Sequence, residues 1–271
     1  MKNPLCLNSN TYHGYSLEEA VAGARAAGIG NIEIAAVRGY TEHARHEMSD
    51  AEIDELTSLL AEHGVVAIGM CGHTNILTDE GRADFVRNLD LAARLGVRYV
   101  VTSTGETHDD ATVIEDDAEL VGILRELAEA AHDRGLTLTI ETHGNNYGSG
   151  ALVAQLLDKV DHPAIAMTYD TANVIFYGGV GPYEDLRENA GHVASLHLKD
   201  KAGEQTEWNF PAVGTGDIDF DATFAALADT GCEAPLSIEI EFTPAGPESV
   251  EAVHSALALS AENARQLLAR H

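Results

Sequence analysis

Short, nearly unbroken apolar runs alternate along this chain with longer stretches in which apolar residues recur every three or four positions. The runs cover 5–7, 31–35, 65–69, 99–102, 136–140, 165–168, 193–196 and 236–240. Runs of this length and character suit parallel strands buried on both faces. The stretches between them read as helices. Ser16-x-x-Glu19 and Ser49-x-x-Glu52 are capping boxes that open the first two. Ile53, Leu56, Leu59 and Leu60 share one face of the second, and Leu120, Leu124, Leu127 and Ala131 share one face of a later helix. Asp219 or Asp221 fits the cap of another. Val250, Val253, Leu257 and Leu267 mark a last helix over 249–269. Gly28, Gly64, Gly96, Gly135, Gly191 and Gly231 each stand a few residues before a run, where helices end on glycine. Eight such units with no Pro/Gly/Ser-rich linker predict one closed (β/α)8 barrel, an α/β fold with parallel strands and an outer ring of helices. It is expected to take residues 1–271 as a single domain. An open doubly wound sheet is the alternative; polar residues after nearly every run favour the barrel, where they would share one mouth.

Four of the runs lead into metal-ligating side chains: Glu141, Asp170, His197 and Glu239. Residues this far apart in sequence meet only if the fold gathers strand ends, as a parallel barrel does. Two glutamates, an aspartate and a histidine suit a divalent ion of the Mn²⁺ or Mg²⁺ type.

Composition narrows the partners. The formal net charge is −28 over 271 residues, and Lys2, Lys159, Lys199 and Lys201 are the only lysines. Such a surface repels nucleic acid and anionic membranes. It suits a high-salt, halophilic cytosol, where self-repulsion is screened, or an ordinary acidic bacterial enzyme; stability compared from low to molar KCl separates the two. Cys6, Cys71 and Cys232 form no C-x-x-C pair, so no disulfide framework or zinc knuckle is indicated. Met1-Lys2-Asn3-Pro4 leads into a short apolar stretch unlike a signal peptide, and no run is long enough to span a membrane. A cytoplasmic location is expected.

The segments Thr137-Leu138-Thr139-Ile140-Glu141-Thr142-His143-Gly144, Thr168-Tyr169-Asp170-Thr171-Ala172-Asn173, Ser195-Leu196-His197-Leu198-Lys199-Asp200, Val213-Gly214-Thr215-Gly216-Asp217-Ile218-Asp219 and Leu236-Ser237-Ile238-Glu239-Ile240-Glu241 follow one another. In order and spacing this series resembles the xylose-isomerase-like TIM barrels, the sugar phosphate isomerase/epimerase group, over essentially the whole chain. The resemblance implies that Glu141, Asp170, His197 and Glu239 bind one divalent metal, Mn²⁺ first, with Mg²⁺, Co²⁺ or Zn²⁺ as alternatives. It also implies that Glu141 and Glu239 act on opposite faces of a keto-sugar, sugar phosphate or cyclitol. One glutamate would remove the proton next to the carbonyl to give an enediolate, and a proton would return from the other or the same one. Elementary chemistry agrees, since a fixed cation stabilises the charge that develops on oxygen and a carboxylate of tuned pKa serves as base.

Weaker candidates surround these. His73, Glu106 and His108 follow the third and fourth runs, and His143 lies two residues after Glu141 on the same side of an extended chain. Lys199 offers an ammonium for a phosphate, carboxylate or enolate oxygen, or a salt bridge to a barrel glutamate. Trp208 is read either as a pocket wall or as packing under its loop. Glu33 is read as a buried partner to a cation, Glu241 as a supporting or surface group, and His43 with His46 as a solvated helix face. Gly214-x-Gly216 is read as a tight turn or an anion site.

Departures from the family pattern narrow the activity. The related DNA-repair endonucleases, the free-ketose 3-epimerases and the dehydroshikimate dehydratases carry histidine where this chain has Asn173, and the 3-epimerases an arginine where it has Gly203. The Asp-x-His pair of the endonucleases is replaced by Asp217-Ile218-Asp219. Three readings stay open: a metal-dependent isomerase or epimerase, a lyase or dehydratase (inosose-dehydratase-like or C-glycoside-cleaving), and a non-catalytic sugar-binding subunit. Relatives are often homo-oligomers, dimers or tetramers.

Overall fold

Eight parallel strands close on themselves in the computed structural model, which describes residues 1–105, 114 and 116–271. The barrel strands are β1 (Leu5–Asn8), β2 (Asn31–Val37), β4 (Val66–Cys71), β5 (Tyr99–Thr102), β6 (Thr137–Glu141), β7 (Ile165–Asp170), β8 (Val193–Leu198) and β9 (Leu236–Ile238), with β3 (Thr41–Glu42) a two-residue antiparallel arm on β2. Their order is β1-β9-β8-β7-β6-β5-β4-β2, and Leu7 and Asn8 of β1 pair with Ile32 and Glu33 of β2 to seal the ring. The fold is therefore a single (β/α)8 barrel.

The helices are α1 (Leu17–Ala26), α2 (Asp50–Glu62), α3 (Asp79–Leu95), α4 (Ala118–His132), α5 (Gly150–Val160), the short α6 (Asn173–Phe176), α7 (Pro182–Asn189), α8 (Phe220–Thr230) and α9 (Val250–Arg270). Both expected capping boxes form: Ser16 accepts from the Glu19 amide and Ser49 from the Glu52 amide, and each glutamate reaches back to its cap. Each serine cap is worth about 1 kcal/mol relative to alanine. Asp219 caps α8 by accepting from the Ala222 amide. Val253, Leu257 and Leu267 of α9 are buried, as are Leu120, Leu124, Leu127 and Ala131 of α4. No helix among the described residues is long and apolar enough to cross a membrane.

The pleat of the strands makes the site. Side chains alternate between the helix-facing and the inner side of a barrel. Leu138, Ile140, Met167, Tyr169, Leu196, Leu198 and Ile238 join the apolar core. Their neighbours Thr139, Thr168 and Ser195 meet inside the barrel, where Thr168 Oγ1 donates to Thr139 Oγ1 at 2.8 Å and lies 2.5 Å from Ser195 Oγ. Two residues further along the same strands stand Glu141, Asp170 and His197. A layer of small hydroxyls thus underlies a layer of carboxylates and an imidazole at the C-terminal mouth.

Three local readings change. Gly28, Gly64, Gly96, Gly135 and Gly231 take positive φ at the ends of their helices, but Gly191 does not; it sits in a 3-10 turn, Ala190–His192, that runs straight into β8. His43 and His46 are not on a helix. They follow the β3 arm, where His43 Nδ1 lies 2.9 Å from Ser9 Oγ and His46 Nε2 lies 2.7 Å from an Arg38 guanidinium nitrogen. Several strands also run one or two residues beyond the apolar runs, because the chain stays extended where polar side chains enter the mouth, while β9 ends at Ile238, two residues short of its run.

Candidate metal centre and cavity

Glu141, Asp170, His197 and Glu239 close the ends of β6, β7, β8 and β9, and one ligand atom from each lies within 4.8 Å of the others. All four side chains are buried. His197 Nδ1 lies 2.8 Å from Glu141 Oε1, 3.5 Å from Glu239 Oε2 and 3.8 Å from Asp170 Oδ2. Asp170 is anchored by its other oxygen, since Oδ1 accepts from the Ala172 and Asn173 amides at 2.8 Å each. Its Oδ2 is buried and accepts no hydrogen bond among the described residues. A buried acceptor without a donor is costly, and here it faces two further carboxylates and an imidazole. Three oxygens and one nitrogen converging in this way fit a divalent cation.

The ligating face of His197 is set from behind. Its Nε2 lies 2.8 Å from Glu33 Oε1. Glu33 is fully buried in β2 and also accepts from Tyr99 Oη at 2.8 Å and Asn8 Nδ2 at 3.3 Å. A carboxylate on the far nitrogen fixes ring orientation and makes the near nitrogen a better ligand. Glu33, read from sequence as a buried partner to a cation, has His197 as that partner.

Electrostatics follow from crowding. Burial alone would raise Glu141, but the charge on His197 and hydrogen bonds from His197 and His73 outweigh it and hold the carboxyl well below the usual range. Asp170 is pushed up to about 7, first by burial and then by Glu141 and Glu239, with Lys199 opposing. Burial would lower His197, yet Glu33, Glu141 and Glu239 raise it well above its ordinary value. Lys199 is likewise raised against burial by Glu239, Glu241 and Asp170. Burial, aided by Glu239, raises Glu241.

A cavity of about 330 Å³ opens over these groups. Glu141 and Glu239 line it, with His73, His143, Asn173 and Lys199 from the sequence-derived set. His73 Nε2 is 3.2 Å from Glu141 Oε2, and Asn173 Nδ2 donates to Glu141 Oε1 at 3.4 Å. Lys199 Nζ lies 2.5 Å from Glu241 Oε2, 3.5 Å from Glu239 Oε2 and 4.6 Å from the centre of the Phe210 ring. Glu241 is thus a buried ion-pair partner at the cavity wall. Trp208 is not among the cavity-lining residues; it meets Phe210 and Phe176 edge-on at 5.1 and 5.8 Å. Glu106 and His108 lie outside the described residues.

Sequence reasoning passed over two amides. Asn8 Nδ2 donates to Glu239 Oε1 at 3.2 Å, and Asn10 Nδ2 donates to Glu239 Oε1 at 3.0 Å and to Glu241 Oε1 at 3.3 Å. Asn10 cannot be turned around, because its Nδ2 faces two carboxylates that only accept; its Oδ1 accepts from Thr41 Oγ1 at 2.7 Å. The signal was present: Asn8 follows the first apolar run just as Glu141 follows the sixth-strand run. Tyr40, 44% exposed at the rim, was also missed; it stacks on His13 with ring centres 4.2 Å apart.

Known proteins of similar sequence and shape agree with this geometry. An inosose dehydratase of Clostridium perfringens is 25% identical over 195 residues, covering 62% of this chain and 65% of the relative. The alignment therefore spans less than two thirds of that relative's length. Among solved structures, a D-allulose 3-epimerase from Methylomonas sp. superposes with a TM-score of 0.74 at 20% identity, covering 98% of each chain. An IolI protein solved with a zinc atom gives 0.77 at 19% identity, also over 98% of each chain. At these identities the structural likeness speaks for the fold. The family model described as xylose isomerase-like TIM barrel matches residues 21–261, and with the closed barrel and its buried Glu-Asp-His-Glu cluster this chain belongs to that family.

Proposed function

We propose that this protein is a divalent-metal-dependent isomerase or epimerase acting on a keto-sugar or cyclitol, by proton transfer next to the carbonyl. One observation carries the reading: the two glutamates that complete the Glu141-Asp170-His197-Glu239 cluster also line the cavity. They stand three strands apart around the ring, so they reach a bound ketone from different sides. Glu141, Asp170, His197 and Glu239 would hold the ion, Mn²⁺ being our choice for a mixed carboxylate and imidazole set. When bound, the ion supplies a fixed positive charge for substrate oxygens that become negative in the reaction. Glu141 and Glu239 serve as proton acceptor and donor, His73 and Asn173 hold Glu141, Asn8 and Asn10 hold Glu239, and Lys199 offers an N–H to a substrate oxygen.

Dehydration is the second reading, favoured by the inosose dehydratase relatives and by the Lys199 ammonium beside Glu239. The first step is shared: a proton leaves the carbon next to the carbonyl. A hydroxyl on the next carbon then departs as water, receiving a proton at the Glu239–Lys199 side, and leaves an unsaturated ketone. The Mn²⁺-loaded protein, incubated in deuterium oxide with a panel of keto-sugars and keto-inositols, should place deuterium at the carbon next to the carbonyl. Ultraviolet absorbance of an unsaturated ketone marks dehydration, and a recovered epimer or isomer marks the first reading. Failure of every compound to give either deuterium exchange or an unsaturated product would sink both.

A further inference from the structure

We propose that the cavity is built for an uncharged polyhydroxy ketone and rejects phosphorylated and carboxylated ones, because both side chains of fixed positive charge that line it among the described residues already hold carboxylates of the chain itself. This rests on the functional reading above and names its substrate class.

Two side chains with a fixed positive charge line the cavity among the described residues, Lys199 and Arg38. Lys199 is buried, 2.5 Å from Glu241 and within 3.7 Å of Glu239 and Asp170. Arg38, at the rim, gives one guanidinium nitrogen to Glu47 and places the other 3.2 Å from Asp84 Oδ2. Outside the cavity lining, the Gly214-Thr215-Gly216 turn has backbone amides that form the kind of concavity that binds phosphate. Its amides converge on Asp200: Oδ2 accepts from Gly214 at 2.8 Å, Thr215 at 3.1 Å and Gly216 at 2.8 Å, and Oδ1 accepts from Lys201 at 2.8 Å. The match is close enough that a side chain on Gly216 would overlap the Asp200 carboxylate. The anion site that the turn suggests is therefore filled from within.

The balance of charge at the mouth points the same way. Glu141, Asp170, Glu239 and Glu241, with Glu33 behind His197, stand against Lys199 and one divalent ion. A phosphate dianion entering this field meets like charge and, among the described residues, no lysine or arginine lining the cavity that lacks a carboxylate partner. A neutral ketose or keto-inositol needs only hydrogen bonds, which Asn10, Asn75, Asn173, His73 and Tyr40 around the cavity can supply. The cavity volume lies at the small end of ligand pockets, which fits a single sugar ring.

Saturation-transfer NMR on the whole protein, with and without Mn²⁺, tests this with D-fructose and 2-keto-myo-inositol against D-fructose 1-phosphate and inorganic phosphate. At low salt the uncharged compounds should bind and the phosphorylated ones bind at least about 100-fold more weakly, as like-charge repulsion requires. The gap should narrow between about 0.01 and about 1 M KCl, as the screening length falls from about 30 to about 3 Å; exclusion by shape alone would leave it unchanged and overturns the charge argument. Freeing Arg38 by Glu47→Gln with Asp84→Asn, or by the exposed Glu47→Gln alone, should raise the relative binding of D-fructose 1-phosphate about tenfold, as one added ion pair at a partly exposed site would. An unchanged ratio in both variants overturns the role given to Arg38. Phosphate compounds bound as well as the uncharged ones at low salt, absence of binding by both included, overturn the proposal. An uncharged ketone that binds but exchanges no deuterium sinks the proposed activity and leaves this inference standing.

Discussion

Glu141 and Glu239 occupy equivalent places at the ends of their strands, yet their surroundings differ. Glu141 is held by imidazoles, His197 at 2.8 Å and His73 at 3.2 Å. Glu239 is held by the amides of Asn8 and Asn10 at 3.2 and 3.0 Å. A protonated imidazole loses its charge when a cation displaces its proton, and an amide has none to lose. Both carboxylates belong to the cluster, but the imidazole 2.8 Å from Glu141 changes charge with metal occupancy, whereas the amides that hold Glu239 do not. Substitutions at these partners therefore address the two carboxylates separately.

The strongest test removes each carboxylate in turn. Glu141→Gln and Glu239→Gln should each lower kcat by about 10²- to 10⁴-fold, the usual worth of a positioned proton-transfer group. Deuterium exchange and net turnover measured on both variants then show which glutamate takes the proton; near-normal turnover in either removes its assigned role. A subtler pair breaks the comparison itself. Glu33→Gln should weaken Mn²⁺ binding by about 10- to 100-fold by loosening the far side of His197. Asn10→Ala should lower kcat by roughly tenfold through loss of its hydrogen bonds to the Glu239 and Glu241 carboxylates, with Mn²⁺ affinity nearly unchanged. Equal effects of the two on metal affinity, read by Mn²⁺ titration, would erase the distinction.

The smallest effect is in pH. Asp170 in the metal-free fold keeps a proton up to about 7, whereas an unfolded aspartate loses it near about 3.9. The raised value stabilises the metal-free fold below about pH 4, and that contribution fades as pH rises through 7. A cation must displace this proton and the one on His197, so metal affinity should climb through the same range. Calorimetry in buffers of different ionisation enthalpy should show proton release on Mn²⁺ binding near neutral pH. Affinity that is flat from pH 5.5 to about 8 would contradict the crowding seen at Asp170.

The eight strands were legible because each run is apolar on the helix-facing side and short enough to be nothing else. The clustered side chains were legible for the opposite reason: Glu141, Asp170, His197 and Glu239 interrupt apolar runs where a buried charge needs a purpose. Legibility failed where function is carried by residues that interrupt nothing. Asn8 and Asn10 sit among other polar residues after a three-residue run, and only the closing of β1 between β2 and β9 brings them to Glu239. Trp208 shows the converse. Its chemistry suits a pocket wall, but Phe210 and Phe176 offer it more contact beneath the loop. His43 and His46 have helical spacing, yet β3 and the segment after it are tied to the barrel by the Ser9 hydroxyl and Arg38.

Gly69 touches neither cavity nor cluster, yet a side chain there would overlap the ring of Tyr99. Tyr99 needs that gap to bring its hydroxyl to Glu33, and Glu33 in turn orients His197. Position 69 and position 99 therefore act as one structural unit. A methyl group added to the glycine should damage the barrel less through its own bulk than through the ion it loosens three residues away. The reverse exchange, Tyr99→Phe, keeps the packing and removes only the last link. A screen of random variants scored by metal content would thus recover hits deep in the barrel wall, among residues that a map of the pocket alone would leave out.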